Sequence, residues 1–316
     1  MAFVLQLLLL VLGFVLLVKG ADFFVDGSSS VAKMLKVPSL IIGLTIVAMG
    51  TSLPECSVSV SASLHDQNAL AISNAVGSNM FNLLVVCGVC SLFCPLAVQR
   101  STLLREYPLS VGVAALLLVF GLTGMSVGRP EGFLLVVLFA AFIVWMVLSA
   151  LRSRKEAADT APEEEYKILP VWKCIVFIVG GAAAIIFGGN LVVDSASYIA
   201  AFFGLSENLI GLTVVAFGTS LPELVTSAVA ARKKEVDMAL GNVIGSNLFN
   251  ILMVLGIAGA ISPLAFTMEN AVDLIALIAM SILVWVYCWT GKKLVRWQGI
   301  TMLLIYAGYM VYICMR

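Results

Sequence analysis

Charge is what this chain lacks. Only 11% of its 316 residues are Asp, Glu, Lys or Arg, 18 acidic against 18 basic, while 61% are hydrophobic. A water-soluble domain carries about a quarter of its residues as charge, so that class is excluded, and a zero net charge offers nothing to nucleic acid. Histidine is scarcer still. The single one, His65, sits in the polar stretch SLHDQN (63–68) and reads as a loop residue. An intramembrane hydrolase would need a Ser–His pair or a helical HExxH, so no enzyme is expected. The seven cysteines (Cys56, Cys87, Cys90, Cys94, Cys174, Cys288, Cys314) lie in or beside apolar runs and suggest no disulfide framework. Cys87, Cys90 and Cys94 stand at helical spacing. Their equivalents 168 residues later are Leu255, Ala258 and Ser262, which favours packing over a metal site.

What is present is a series of long apolar runs, several exceeding the roughly 18 residues that mark a membrane-spanning helix. The spans are expected near 3–30, 38–64, 69–94, 102–125 and 131–151, then 169–198, 206–231, 237–262, 270–290 and 295–315. The predicted fold is an all-α membrane protein of ten transmembrane helices, built as two five-helix repeats (1–151 and 169–316) around a polar linker at 152–168. The N-terminal run resembles a signal-peptide core but lacks a basic n-region. It also aligns with the second half from residue 20, so it is read as the first span.

The halves are copies. GLTIVAMGTSLPE (43–55) matches GLTVVAFGTSLPE (211–223) at 11 of 13 positions, and NAVGSNMFNLL (74–84) matches NVIGSNLFNIL (242–252) at 7 of 11. The same offset of 168 pairs Gly20 with Gly188, Asp26 with Asp194 and Pro95 with Pro263. Five spans per copy is odd, so the second copy must insert upside down. Basic residues agree. Fifteen fall on one predicted side (Lys33, Lys36, Arg100, Arg105, Arg152, Arg154, Lys155, Lys167, Lys173, Arg232, Lys233, Lys234, Lys292, Lys293, Arg296), and Arg129 and Arg316 on the other, with Lys19 left within the first helix. The excess marks the cytoplasm, which puts the linker inside and both termini outside.

Within each copy, GTSLPE is the anomaly. Pro54 and Pro222 remove a helical donor and clash with the preceding turn, and Gly50 and Gly218 weaken the helix further. Helices 2 and 7 should break in mid-membrane, with carbonyls such as those of Ala48 and Ala216 freed toward protein, water or an ion. Glu55 and Glu223 then carry a carboxylate where one costs about 2.5–3.5 kcal/mol or more. No basic residue lies at comparable depth, so an added cation is the expected partner. Ser52, Glu55 and Ser59 share a helix face, Thr51 precedes Glu55 by one turn, and Ser78 and Asn82 are four apart. The second copy supplies Thr219, Ser220, Glu223, Ser227, Ser246 and Asn250. Every donor is oxygen, which suits hard ions such as Ca²⁺ and Na⁺ and not zinc or copper. Ser, Thr and Asn also glue membrane helices together, an alternative open for each of them but weak for the two glutamates. Asp26 and Asp194 read as interfacial anchors.

GTSLPE followed about 20 residues later by GSNxxN, twice in opposed halves, resembles the α-repeats of the calcium/cation antiporter superfamily, here 43–84 and 211–252. The closest branch is the short prokaryotic sodium/calcium exchangers, and the resemblance covers essentially the whole chain. It implies an ion-binding core of helices 2, 3, 7 and 8 and a sliding pair of helices 1 and 6. It also implies a ligand set of Thr51, Ser52, Glu55, Ser78, Asn82, Thr219, Ser220, Glu223, Ser246 and Asn250 with the carbonyls of Ala48 and Ala216. Some relatives, including potassium-dependent ones, place Asp where this chain has Asn250, so no K⁺ requirement is implied. The expected activity is Na⁺/Ca²⁺ antiport by alternating access, electrogenic if more than two Na⁺ bind. H⁺/Ca²⁺ exchange is the alternative, because buried glutamates also bind protons. A cation channel fits less well, since channels usually repeat subunits around a pore. No cofactor and no protein partner are implied, only the two ions and the bilayer of a prokaryotic plasma membrane.

Overall fold

In lipid a backbone must satisfy its own hydrogen bonds, so long apolar runs become helices. A computed structural model describes residues 2–64, 68–158, 169–204 and 216–315. His65, the tip of SLHDQN, most of the linker and the first part of the seventh expected span lie outside the described residues. α1 is Ala2–Leu35, and α2 is Ser39–Thr51 followed by Leu53–Leu64. α3 runs Asn68–Phe81, Asn82–Val86 and Cys87–Phe93. α4 is Thr102–Gly124, α5 Arg129–Ala158 and α6 Val171–Phe202. α7 is Ala216–Thr219 and Leu221–Arg232, α8 Val236–Ile261, α9 Met268–Trp289 and α10 Arg296–Met315. Among the described residues, eight helices are long and apolar enough to cross a membrane, and the bent α2 makes a ninth. This is an all-helical, membrane-spanning protein. α5 continues to Ala158, past the expected linker boundary at 152, because RSRKEAA is made mostly of good helix formers.

α2 bends by 50° between its two pieces. Ser52 leaves helical geometry (φ −88°, ψ 11°), and Ser220 does the same in α7 (φ −94°, ψ 5°). Each proline then stands second in the helix that restarts, in the first turn where its missing N–H costs little. The freed carbonyl expected at Ala48 is not found. That carbonyl accepts the Ser52 N–H at 3.1 Å, with Thr51 Oγ1 3.4 Å away. The bond that Pro54 cannot make is the one four residues back, to Gly50.

Wide π-turns occupy Gly43–Val47 in α2, Asn82–Val86 in α3, Thr102–Glu106 in α4 and Asn250–Leu255 in α8. α3 and α8 are the most enclosed helices, and the first half of α2 lies directly on α8. A Cβ on Gly43 would stand 2.5 Å from the Met238 carbonyl, and one on Gly245 2.6 Å from that of Leu44.

α1 and α6 pack antiparallel along small residues. Gly13 meets Gly188 and Gly20 meets Gly181 with no room for a side chain, and Gly27 meets Cys174 with little. Four two-residue strands, not anticipated from the sequence, tie the connecting loops into ribbons. β1 (Leu96–Ala97) pairs antiparallel with β4 (Lys293–Leu294), and β2 (Ser126–Val127) with β3 (Leu264–Ala265).

Candidate cation site

The two broken helices meet at their breaks. Ser52, at the bend of α2, donates to Glu223 Oε1 at 2.7 Å, and Ser220, at the break of α7, donates to Glu55 Oε1 at 3.2 Å. The two bonds are each other's counterparts under the offset of 168. They bring both carboxylates to one place, fully buried, though each belongs to a different half of the chain. No ion pair among the described residues reaches either glutamate.

One oxygen of each carboxylate is therefore held, and the other is left over. Glu55 Oε2 and Glu223 Oε2 are buried without a hydrogen-bond partner in the protein, as are Asn82 Oδ1, Asn250 Oδ1 and Ser246 Oγ. Buried polar atoms are ordinarily satisfied. Asn82 Nδ2 is unpartnered as well, but the other atoms are acceptors, a set that a hard cation would complete, and all-oxygen ligands suit the 6–8 oxygens that Ca²⁺ takes. Thr51, Ser78 and Ala48 are also buried, Thr219 is half-buried, and Ala216 opens the described part of α7.

Behind these oxygens lies a layer that sequence reasoning did not assign. Asn74 Nδ2 donates to Ser59 Oγ at 3.0 Å, with the Glu55 carbonyl 3.4 Å away. Asn242 Nδ2 repeats this with Ser227 Oγ at 2.9 Å and the Glu223 carbonyl at 3.5 Å. Ser59 and Ser227 thus join helices, the structural alternative weighed for them. Thr51 Oγ1 lies 3.1 Å from Asn242 Oδ1 and 3.2 Å from the Val47 carbonyl. At the crossing of α3 and α8, Asn79 Nδ2 donates to the Asn247 carbonyl (3.1 Å) and Asn247 Nδ2 to that of Asn79 (3.4 Å). Asn250 Nδ2 adds a bond to Asn79 Oδ1 at 3.1 Å. The signal for all four asparagines was their repetition in NxxxxN.

A cavity of about 410 Å³ borders the site, lined by Pro54, Gly218, Thr219, Pro222 and, from α6, Asn190 and Asp194. The two acids read as anchors have different surroundings. Asp194 faces this cavity, and Asp26 is paired with Lys233 at 2.7 Å.

A sequence profile described as sodium/calcium exchanger protein matches residues 5–148 and 173–315. The chain belongs to the sodium/calcium exchanger family. It is 39% identical to the putative antiporter CaxA of Alkalimonas amylolytica, over 94% of this chain and 95% of that one. To the sodium/calcium exchanger MaX1 of Methanosarcina acetivorans it is 32% identical, over 96% and 97%. Its fold matches a solved structure of the sodium-calcium exchanger NCX_Mj soaked with Na⁺ and Sr²⁺, with a TM-score of 0.85 at 32% identity, covering 98% and 99% of the two chains. The fold is thus shared with a solved member of the family, and in this chain the buried acids follow the breaks at Ser52 and Ser220.

Proposed function

We propose that this protein exchanges Na⁺ for Ca²⁺ across a prokaryotic plasma membrane, holding the ions between Glu55 and Glu223. The observation that carries the reading is the crossed pair of serine–glutamate bonds, which orients one oxygen of each acid and leaves the other without a partner. Glu55, Glu223, Asn82, Asn250, Ser78, Ser246, Thr51, Thr219, Ser52, Ser220 and the carbonyls of Ala216 and of Ala48, the latter through the lone pair its helical bond leaves, form the ligand set. Two carboxylates balance one Ca²⁺. Several Na⁺ ions spread over the same oxygens, so the two substrates compete, and more than two Na⁺ make the cycle electrogenic. Two bare acids in mid-membrane oppose crossing without an ion, which favours exchange over leak.

The halves act as inverted five-helix repeats, with ten spans in all, and alternate access by exchanging conformations. Contacts between loops support this arrangement. β1–β4 joins the α3–α4 and α9–α10 loops, both assigned to the cytoplasm by their lysines and arginines, and Gln99 Nε2 donates to Asp237 Oδ2 (2.6 Å) on that same side. β2–β3 joins the α4–α5 and α8–α9 loops, both assigned outside. Each described loop-to-loop contact links loops given the same side by charge alone.

The test is ⁴⁵Ca²⁺ uptake into proteoliposomes loaded with Na⁺, with only a pH gradient, or with no counter-ion. Uptake that requires internal Na⁺ supports the reading. Uptake driven by protons and indifferent to Na⁺ replaces it with H⁺/Ca²⁺ exchange, and current without a counter-ion replaces it with a channel.

A further inference from the structure

The two ends of the molecule are closed unequally. α1 packs along Leu221–Arg232 of α7, whereas the equivalent surfaces, α6 and Leu53–Leu64 of α2, are separated by the 410 Å³ cavity. At the closed end Lys233 reaches α1. Its Nζ donates to Asp26 Oδ1 at 2.7 Å and to the Asp22 carbonyl at 2.9 Å, and lies 3.4 Å from Asp22 Oδ1. Two residues on, Glu235 Oε1 accepts from Ser29 Oγ and lies 3.6 Å from Lys33 Nζ. The α7–α8 turn that carries these groups is tight, with Lys234 at φ 65°, so both charges are presented to the same helix. Under the offset of 168, Asp26 corresponds to Asp194 and Asp22 to Asn190. Those two residues line the open cavity and make no ion pair among the described residues. The equivalent turn, SLHDQN, contains no lysine or arginine.

We infer that Lys233 is a positioning residue for exchange: a one-sided latch that holds α1 against the α7–α8 turn and biases the protein toward the state closed at the end bearing the linker. The inference rests on the alternating-access reading above. To open that end, α1 must leave α7, which breaks the Lys233 and Glu235 contacts together. At the position equivalent to 233 the sequence has His65 and not a lysine, so no second lysine anchor stands at the other end, and on this inference the two states differ by the worth of the latch. Lys233 is about 29% exposed and its acids more so, which limits the bias to about two- to fivefold in population.

The site's symmetry supplies the reporters. Ser57 lines the open cavity and is exposed. Thr226, the equivalent of Val58 in that cavity, is fully buried on Leu221–Arg232, the stretch that α1 packs along. Cysteines introduced singly as Ser57→Cys and Thr226→Cys are to be labelled with a charged methanethiosulfonate in the full-length protein in proteoliposomes, and read as the increment over the parent. Lys233→Gln should raise Thr226→Cys labelling about two- to fivefold and lower that of Ser57→Cys, and Lys233→Arg should keep the parent pattern. Asp26→Asn should shift labelling the same way by no more than Lys233→Gln, because Asp22 still faces Lys233, and the double variant should go no further than Lys233→Gln alone. Unchanged Thr226→Cys labelling, or both sites rising together as in general loosening, would overturn the latch. The labelling needs no transport, so failure of the exchange reading would show separately, as absent Na⁺-dependent ⁴⁵Ca²⁺ uptake by the parent.

Discussion

The proposed cation site rests on two buried glutamates that no lysine or arginine among the described residues pairs with. A buried acid missing its counter-charge is strongly destabilising unless something else supplies it, and among the described residues the hydrogen bonds to these carboxylates come from serine hydroxyls. Glu55→Gln and Glu223→Gln keep the shape and one acceptor but halve the available charge. Each should abolish ⁴⁵Ca²⁺ uptake while leaving expression and thermal stability near the parent or above it, because a costly buried charge has gone. Transport at parental rate in either variant would take that residue out of the site. These acids were legible in the sequence because their doubling and their cost in lipid point the same way. The asparagines behind them were repeated too, at 74 and 242 and at 79 and 247. Their task was not legible. Whether an asparagine meets an ion or the neighbouring helix depends on how α3 and α8 cross, which no local pattern states.

Helices set the geometry in which those acids meet. The bend in α2 follows from a glycine, a departing Ser52 and a proline placed where a new helix can start. The glycine and the proline were readable in GTSLPE, whereas Ser52 was read as part of the helix face of Glu55. The π-turns were not readable. Gly43–Val47, Asn82–Val86 and Asn250–Leu255 adjoin site residues, and π-turns frequently mark functional positions, yet their sequences look like ordinary apolar helix. The β-ribbons escaped for a similar reason, since two residues carry no period. The α1–α6 seam, by contrast, is written as glycines seven apart at 13, 20 and 27 and again at 181 and 188. A Cβ at Gly20 would stand 2.9 Å from the Gly181 carbonyl and from the Ala184 Cβ. Gly20→Val should therefore force the pair apart at a cost of about 1–3 kcal/mol, lowering the melting temperature measured in detergent. Gly77→Ala, at a position with nothing described within 4 Å of the added Cβ, should do much less. Equal melting shifts for the two would mean that the seam tolerates separation.

At the scale of the whole molecule, charge in the loops and pairing between loops are independent signals that agree. The first comes from lysines and arginines alone. The second comes from backbone hydrogen bonds that ignore side-chain charge, such as Val98 N–H to the Lys292 carbonyl at 2.8 Å and Phe266 N–H to the Met125 carbonyl at 3.0 Å. A parallel arrangement of two five-helix copies would have placed equivalent ends together. Here α1 and its copy α6 run in opposite directions, and β1 pairs not with its own equivalent β3 but with β4. The prediction is one of sidedness. In intact cells, Ser126→Cys in β2 should react with an impermeant thiol reagent, whereas Lys293→Cys in β4 should react only after permeabilisation, each read as the increment over the parent. Labelling of both from one side would end the inverted arrangement. It would also leave the crossed serine–glutamate bonds without the symmetry that places one acid from each half at the same depth.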